Sequence, residues 1–117
     1  MASILIVDDE ETFARNAARY LERAGHEVRV AGTLADGLHL FAERAPEVVV
    51  LDYRLPDGTG LDAVQHIRRS DPGAHLILIT GHGTIELAVQ AMKAGANDLL
   101  TKPVALSELR ERIAALA

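Results

Sequence analysis

Short apolar runs alternate with longer stretches of helical spacing along this chain, and that alternation limits its possible folds more than any other feature. The apolar runs, rich in Val, Ile and Leu, lie at Ile4–Val7, Val28–Val30, Val48–Leu51, Leu76–Ile79 and Leu99–Thr101. About 20 to 28 residues separate the starts of successive runs, which is too long for hairpins and suits crossover helices between parallel strands. The pattern predicts a strand followed by a helix, five times over.

The second run differs from the others in a way that predicts the order of the strands. Ile4–Val7, Val48–Leu51 and Leu76–Ile79 show no polar alternation, as expected for strands covered on both faces. Glu27–Val30 alternates polar and apolar residues, which is typical of an edge strand. We therefore predict an α/β fold with a single doubly wound sheet of five parallel strands, (βα)5, in the flavodoxin-like order 2-1-3-4-5. In this topology ligands bind beyond the carboxyl ends of the strands, between strands one and three.

Spacing and capping residues locate the helices. Apolar residues recur at i, i+3, i+4 and i+7, or nearly so, in two segments: Ile85, Ala88, Val89 and Met92, and Leu106, Leu109, Ile113 and Leu116. Both segments are predicted to be amphipathic helices. The residues expected to cap the starts or ends of helices are Thr33, Thr84, Gly25, Gly73 and Gly95.

Length and composition indicate a single domain without a membrane or nucleic-acid partner. A chain of 117 residues is long enough for one core and too short for two, so we predict one domain, 1–117, with no second module. The net charge of −5 and the 3% aromatic content do not suit a nucleic-acid surface. No apolar run approaches the ~18 residues of a membrane span, and the first is too short for a signal peptide. The chain has no cysteine, which excludes disulfides and thiolate metal sites and suits a cytoplasmic location.

Polar residues follow four of the apolar runs at the point where each run ends. Asp8 and Asp9 follow the first run, Asp52 the third, Thr80 the fourth and Lys102 the fifth. Because neighbouring strands lie about 4.8 Å apart, Asp8 and Asp52 would be within reach of one metal ion if the first and third strands are adjacent. The sequence therefore predicts that these five side chains converge at one edge of the sheet.

The residue types at this edge are those that phosphoryl transfer requires. Carboxylates repel each other by roughly 1 kcal/mol per pair at about 4 Å in water, and a hard divalent cation would compensate. Mg²⁺ prefers oxygen ligands, whereas zinc is disfavoured because no histidine follows these strands directly. Lys102 adds a second positive charge and Thr80 a hydrogen-bond donor, which together would position and neutralise a moving phosphoryl group. Asp52, at the centre of the sheet, is the predicted nucleophile.

Several motifs together make the whole chain resemble the receiver domains of two-component response regulators. They are the acidic pair in IVDDE, the aspartate in VVLDYRLPDGTG with Pro56 and Gly60, the threonine in ITGHG, and the lysine and Pro103 in LLTKP. The stretch TGHGTIELAVQAMKAGANDLLTKP is most similar to receivers of enhancer-binding and related transcription regulators. The resemblance implies a domain that is itself phosphorylated and controls a partner, not an enzyme that turns over external substrates.

The resemblance also implies roles for individual residues and partners. The implied metal ligands are Asp8 or Asp9, Asp52 and the backbone carbonyl of Arg54. Asp52 would accept the phosphoryl group from a sensor histidine kinase or a histidine phosphotransfer protein, Thr80 would follow that group, and Lys102 would pair with it. Helix 4, strand 5 and helix 5 would form the face that switches on phosphorylation and contacts an output domain, a partner or a second copy of the chain.

Two positions depart from the family pattern. Leu99 lies three residues before the lysine, where receivers usually carry an aromatic ring, and Val104 follows the proline, where phenylalanine is usual. Leucine has no amphipathic ring that could alternate between a buried and a solvent-exposed position. These departures motivate an alternative function, a receiver-like interaction module that signals without phosphorylation.

Further alternatives concern the residues around the crevice. An aspartate-nucleophile phosphatase of the haloacid dehalogenase type would need a second acid two residues after the nucleophile, where this chain has Arg54. His82 and Arg54 have two possible roles. They would either border the crevice between the strand ends, where the site residues converge, and tune the lifetime of a phosphoryl group, or be ordinary solvated residues. Gly81 and Gly83 do not form a dinucleotide-binding loop, because Glu86 occupies the third glycine position.

Overall fold

Five parallel strands alternate with five helices in the computed structural model, which describes residues 1–116. The strands of this sheet are β1 (Ser3–Val7), β2 (Glu27–Ala31), β3 (Val48–Asp52), β4 (His75–Thr80) and β5 (Asp98–Thr101). The helices are α1 (Glu11–Arg23), α2 (Leu34–Glu43), α3 (Gly60–Ser70), α4 (Ile85–Ala94) and α5 (Leu106–Ala115). The predicted repeat of strand and helix is confirmed.

The sheet has the strand order β2-β1-β3-β4-β5, with all neighbours parallel. This confirms the predicted order and the edge position of the second strand, in which Glu27 and Val30 are exposed, whereas β3 is buried along its whole length. The register pairs Val7 with both Ala31 and Leu51. Strand β1 therefore lies between β2 and β3, and its carboxyl end meets that of β3 at the switch point of the sheet.

The sheet separates two layers of core, because side chains alternate between the faces of each strand. On one face Leu5 packs in a layer with Phe41 of α2 and Ile67 of α3. On the other face Ile6 packs in a layer with Leu109 of α5 and with the buried side of α1. Both faces are covered by helices, which explains why the central strands are continuous apolar runs.

A small antiparallel pair that the sequence did not predict follows β3. It consists of the two-residue strands Arg54–Leu55 and Gly58–Thr59. Strands this short carry no periodicity that a sequence pattern could show. The Gly60 N–H donates to the Tyr53 carbonyl oxygen at 2.8 Å and closes the base of the pair. The loop after the central strand is therefore a short hairpin that leads directly into α3.

Helix α4 forms where its apolar spacing predicted a helix, but the predicted stripe is not the face that it buries. Ile85 is 85% exposed, and Val89 and Met92 are 45% and 46% exposed. Leu87 and Ala91 face the core instead, at 8% and 0% exposure. The helix carries apolar residues on two faces, and spacing alone does not show which of them packs on the sheet. The outward stripe leaves an exposed apolar surface on α4.

Most predicted capping residues lie at helix ends. The hydroxyls of Thr33 and Thr84 accept hydrogen bonds from the backbone N–H three residues later, at the starts of α2 and α4. Gly95 ends α4 with φ 113°, a left-handed conformation that favours glycine. Gly25 follows the end of α1, and Gly73 lies in the turn after α3. None of the helices within residues 1–116 combines the length and the hydropathy needed to cross a membrane.

Candidate functional site

Three carboxylates meet at the carboxyl end of the sheet. Asp8 directly follows β1 and Asp52 ends β3, and these strands are neighbours in the sheet. Together with Asp9 they offer carboxylate oxygens that all lie within 4.8 Å of one another. Asp8 is 3% and Asp52 8% exposed, whereas Asp9 is exposed to solvent. A set of this kind can bind a hard divalent cation through oxygen ligands.

Side-chain alternation along the strands explains why the charged groups face the same side of the sheet. The residues two positions before them all lie in the core layer covered by α1 and α5; they are Ile6, Val50 and Leu100. Because side chains on a strand repeat with a period of two, Asp8, Asp52 and Lys102 continue this layer past the strand ends. Three segments that are distant in sequence therefore place charged side chains in one crevice at the carboxyl end of the sheet.

The Lys102 ammonium lies among carboxylates. Its Nζ atom is 3.4 Å from Asp8 Oδ2, 3.5 Å from Glu10 Oε2 and 3.6 Å from Asp52 Oδ2. It also lies 5.2 Å from the centre of the Phe13 ring, near the start of α1. An ammonium has three N–H donors, so it can interact with several acceptors at once. Lys102 therefore supplies positive charge that balances part of the acidic cluster.

Burial and neighbouring charges shift the pKa of two groups in the crevice. Burial raises the pKa of Asp52 to about 6, and the Asp8 carboxylate adds to the rise against the opposing influence of Lys102. Burial acts to lower the pKa of Lys102, but the charges of Asp8, Asp52 and Glu10 outweigh it and the pKa is raised. The surrounding carboxylates contribute to the rise in both pKa values, and a divalent cation would offset this excess of negative charge.

Thr80 connects the carboxyl ends of β4 and β5 with the loop before α4. It is 2% exposed, and its carbonyl oxygen accepts the Lys102 N–H at 2.8 Å. Its hydroxyl oxygen accepts the His82 N–H at 3.1 Å. On the β3 side, the Arg54 N–H donates to Asp52 Oδ1 at 3.4 Å, and the side chains of Arg54 and His82 are exposed. The structure thus brings the predicted site residues to one edge of the sheet, with Arg54 and His82 beside them.

The hairpin after β3 is held in place by two contacts. Gly60 approaches the strand so closely that a Cβ atom there would lie 2.6 Å from the backbone oxygen of Asp52, so a larger residue would displace the strand end. Asp57 accepts the N–H groups of Leu34 at 2.7 Å and Ala35 at 3.0 Å, at the start of α2. The bond from Ala35, followed by that from Leu34, lowers the pKa of Asp57. The segment that carries Asp52 is therefore anchored on both sides.

Glu10, Phe13 and Asp57 also belong to this region, and sequence patterns did not identify them. Glu10 is visible as the third acid of IVDDE, but an acid before a helix is also explained by the helix dipole. The direction of the Phe13 ring depends on where α1 begins. Asp57 lies in a segment whose residues are common in any turn, so its type gives no sign of a special contact. Each of these contacts depends on tertiary structure, and no local spacing identifies it.

Comparisons with known sequences agree with this geometry. The family model described as the response regulator receiver domain matches residues 4–114. The photosynthetic apparatus regulatory protein RegA of Rhodovulum sulfidophilum is 46% identical over 101 residues, which cover 86% of this chain and 55% of that protein. The chain spans about half the length of this relative and of similar curated regulatory proteins that it matches.

Solved structures share the fold. A CheY-like response regulator receiver domain protein from Methanospirillum hungatei matches with a TM-score of 0.94 and 31% identity, over 98% of this chain and 92% of that one. A response regulator protein from Burkholderia pseudomallei, crystallised with a phosphorylated aspartic acid, a calcium ion and citrate, matches with a TM-score of 0.90 and 34% identity, over 100% of this chain and 67% of that one. Because the family model spans nearly the whole chain and the topology is the same, the chain belongs to the receiver domain family of two-component response regulators.

Proposed function

We propose that Asp52 accepts a phosphoryl group from a sensor histidine kinase or a histidine phosphotransfer protein in a Mg²⁺-dependent reaction. The observation that carries the proposal is that Asp8, Asp52 and Lys102 share one crevice, with the two carboxylates 3.4 Å and 3.6 Å from the ammonium. Asp52 ends the central strand and is the proposed nucleophile. Its carboxylate oxygen forms a bond to phosphorus as the phosphorus–nitrogen bond of the donor phosphohistidine breaks.

The acidic cluster is proposed to hold the magnesium ion. The ligands in this proposal are the carboxylates of Asp8, Asp9 and Asp52 and the backbone carbonyl of Arg54. The three clustered carboxylates form an oxygen set without sulfur or imidazole, which fits Mg²⁺. A bound Mg²⁺ ion supplies charge neutralisation for the phosphoryl oxygens. The structure of the Burkholderia pseudomallei relative contains a phosphorylated aspartic acid and a calcium ion, which supports aspartyl phosphorylation as the chemistry proposed for this chain.

Lys102 and Thr80 are proposed to hold the phosphoryl group once it is attached to Asp52. An added phosphoryl group carries about −1.5 to −2 charges and accepts strong hydrogen bonds. Lys102 supplies an ammonium from the end of β5, and Thr80 supplies a hydroxyl donor from the end of β4. Because the Thr80 hydroxyl oxygen also accepts the His82 N–H, a movement of this hydroxyl would draw the loop before α4 with it.

The face formed by α4, β5 and α5 is the proposed output surface. Ile85, Val89 and Met92 give α4 an exposed apolar stripe that suits a partner, an output domain or a second copy in a homodimer. Phosphorylation would shift a pre-existing equilibrium of this surface. Because the curated relatives are longer regulatory proteins, we propose that a module outside residues 1–117 controls transcription. These residues would act as one cytoplasmic receiver domain without binding nucleic acid or membrane themselves.

This role is regulatory and does not include turnover of external substrates. The phosphatase alternative needs an acid two residues after Asp52, and Arg54 occupies that position with its side chain exposed. Hydrolysis of para-nitrophenyl phosphate by the wild type, above the rate of Asp52→Asn, would support the phosphatase.

The second candidate function is an interaction module that signals without phosphorylation. Leu99 packs against the core layer that contains α2 and α3, and Val104 is 9% exposed. Because neither residue is aromatic, neither position offers a ring that could swing outward. Beryllofluoride with Mg²⁺, followed by amide NMR, separates the two functions. Shifts that reach α4 and β5 support the phosphorylation switch, and shifts confined to the loop after Asp52 support the interaction module.

Acetyl phosphate tests the proposed acceptor. With Mg²⁺ present, the wild type should gain about 80 Da, the mass of one phosphoryl group, and Asp52→Asn should gain nothing. Asp57→Asn is the matched control, because it changes a carboxylate of the same loop that bonds to α2 and not to Lys102. Labelling that persists in Asp52→Asn would refute the assignment.

A further inference from the structure

Glu10 contributes one of the three carboxylates around Lys102, yet it lies outside the proposed metal cluster. Within residues 1–116, the acids within 4 Å of Lys102 Nζ are Asp8, Glu10 and Asp52. The group of carboxylates able to share one metal ion comprises Asp8, Asp9 and Asp52. A cation in the cluster would neutralise charge on two neighbours of the ammonium and leave the charge of Glu10 in place.

The backbone around Glu10 is fixed. Its N–H donates to Asp8 Oδ1 at 2.9 Å, and its carbonyl oxygen accepts the Ala14 N–H at 3.0 Å as α1 begins. Three residues further along, the Phe13 ring lies 5.2 Å from Lys102 Nζ. The start of α1 therefore supplies both a carboxylate and an aromatic face to the same ammonium.

We propose that Glu10 is a positioning residue that holds Lys102 toward the start of α1 and slows phosphoryl acceptance at Asp52. The inference deepens the proposed function and rests on it. The three N–H donors of Lys102 already face three carboxylates, so pairing with an incoming phosphoryl group must weaken one of these contacts. Glu10 is the neighbour whose charge a bound cation does not neutralise, and it is therefore the strongest competitor. Glu10 and the phosphoryl group therefore compete for one ammonium.

The exposure of the pair sets the expected size of the effect. The Lys102 side chain is 22% exposed and that of Glu10 is 58% exposed. Ion pairs this exposed are weakened by solvent and salt. Glu10→Gln should therefore speed phosphorylation by about two- to fivefold, the factor that corresponds to such a pair.

Phosphoramidate, a small donor that needs no kinase, tests the inference. The rate of the gain of about 80 Da is measured with Mg²⁺ for the wild type, Glu10→Gln and Glu11→Gln. Glu11 is exposed in the first turn of α1 and makes the matched control, because its substitution removes the same charge one residue away from the Lys102 contact. We expect Glu10→Gln to be faster than both other proteins and Glu10→Asp to return toward the wild-type rate.

A double-mutant cycle gives a readout that a merely structural role would not produce. If Glu10 acts through Lys102, the acceleration by Glu10→Gln should disappear in the Lys102→Ala background. Equal rates for Glu10→Gln and Glu11→Gln, or an acceleration that persists without Lys102, would overturn the inference and leave the proposed function standing. A wild type that takes up no phosphoryl group would overturn both.

Discussion

The carboxylate of Asp52 lies where β3 leaves the core, and at 8% exposure beside Asp8 it is poorly placed to carry a charge. Its pKa rises from 3.8 to about 6, so between these values the folded chain binds a proton that the unfolded chain releases. The stability that this proton contributes is fully present below pH 3.8 and is lost as the pH rises through about 6. At neutral pH the ionised Asp52 carboxylate therefore lowers the stability of the fold, at the position where phosphorylation is proposed.

Asp52→Asn should remove this destabilisation. In magnesium-free buffer we expect the free energy of unfolding at pH 7 to rise by on the order of 3 kcal/mol over the wild type, since one pKa unit corresponds to about 1.36 kcal/mol. Near pH 4 the two proteins should differ little. Urea denaturation across this pH range measures both effects. Asp9→Asn, at the exposed member of the cluster, is the control, and identical pH profiles for the wild type and Asp52→Asn would contradict the account.

Site residues that directly follow the strands were predictable from the sequence, and residues whose contacts depend on side-chain direction were not. Asp8, Asp52 and Lys102 were predictable because parallel strands end at one edge and side chains alternate with a fixed period. Glu10 and Phe13 lie outside the strands, and their contacts with Lys102 depend on where α1 begins and how it turns. Strand periodicity carries no information on either.

Among the elements, α3 and α4 are connected by the Arg68 guanidinium. Arg68 donates to the carbonyl oxygens of Gly95 at 2.7 Å, Ala74 at 2.7 Å and Pro72 at 2.9 Å, and to Asn97 Oδ1 at 3.0 Å. The Gly95 carbonyl follows the last turn of α4, where the helix dipole favours a positive charge. One side chain thus joins the end of α3, the turn before β4 and the turn before β5.

Arg68→Met should destabilise the fold, because it leaves several carbonyl groups without their charged donor. Hydrogen bonds to charged groups contribute about 1.5–3 kcal/mol, and we expect a loss of about 2–3 kcal/mol in the free energy of unfolding. Arg69→Met changes the neighbouring exposed arginine and should stay within about 0.5 kcal/mol of the wild type. Chemical denaturation compares the two variants, and equal losses would show that the Arg68 contacts do not stabilise the fold.

The elements themselves were largely predictable, and two departures have physical causes. Each strand follows from an apolar run. Burial on both faces selects Val, Ile and Leu in the central strands, whereas the edge strand β2 alternates polar and apolar residues. The hairpin of Arg54–Leu55 and Gly58–Thr59 was missed because two-residue strands have no period. On α4, Ile85 is exposed and Leu87 buried because the helix has two apolar faces and tertiary packing chooses between them.

In the molecule as a whole, the crevice exists only when β1, β3 and β5 are assembled, because each contributes a charged group from a different part of the chain. Asp8, Asp52 and Lys102 are far apart in sequence, so the unfolded chain does not hold them close together. Binding of the proposed cation to the cluster would therefore be coupled to folding.

Magnesium should stabilise the wild type by mass action. At a concentration about 100 times the dissociation constant, the free energy of unfolding should rise by about 2.7 kcal/mol. Asp8→Asn and Asp52→Asn should lose most of this increase, because each removes a carboxylate of the cluster. Asp57→Asn should keep it. Thermal denaturation with and without Mg²⁺ makes the comparison, and a full increase in Asp8→Asn would exclude that residue as a ligand.

A crystal structure of the protein with Mg²⁺ and beryllofluoride, which imitates a phosphoryl group on a carboxylate, would test the proposed phosphorylation site directly. We expect beryllofluoride on the Asp52 carboxylate, Mg²⁺ bound by Asp52 together with Asp8 or Asp9, and Lys102 Nζ in contact with fluoride. Electron density for beryllofluoride at another carboxylate, or a Lys102 side chain turned away from it, would contradict the account.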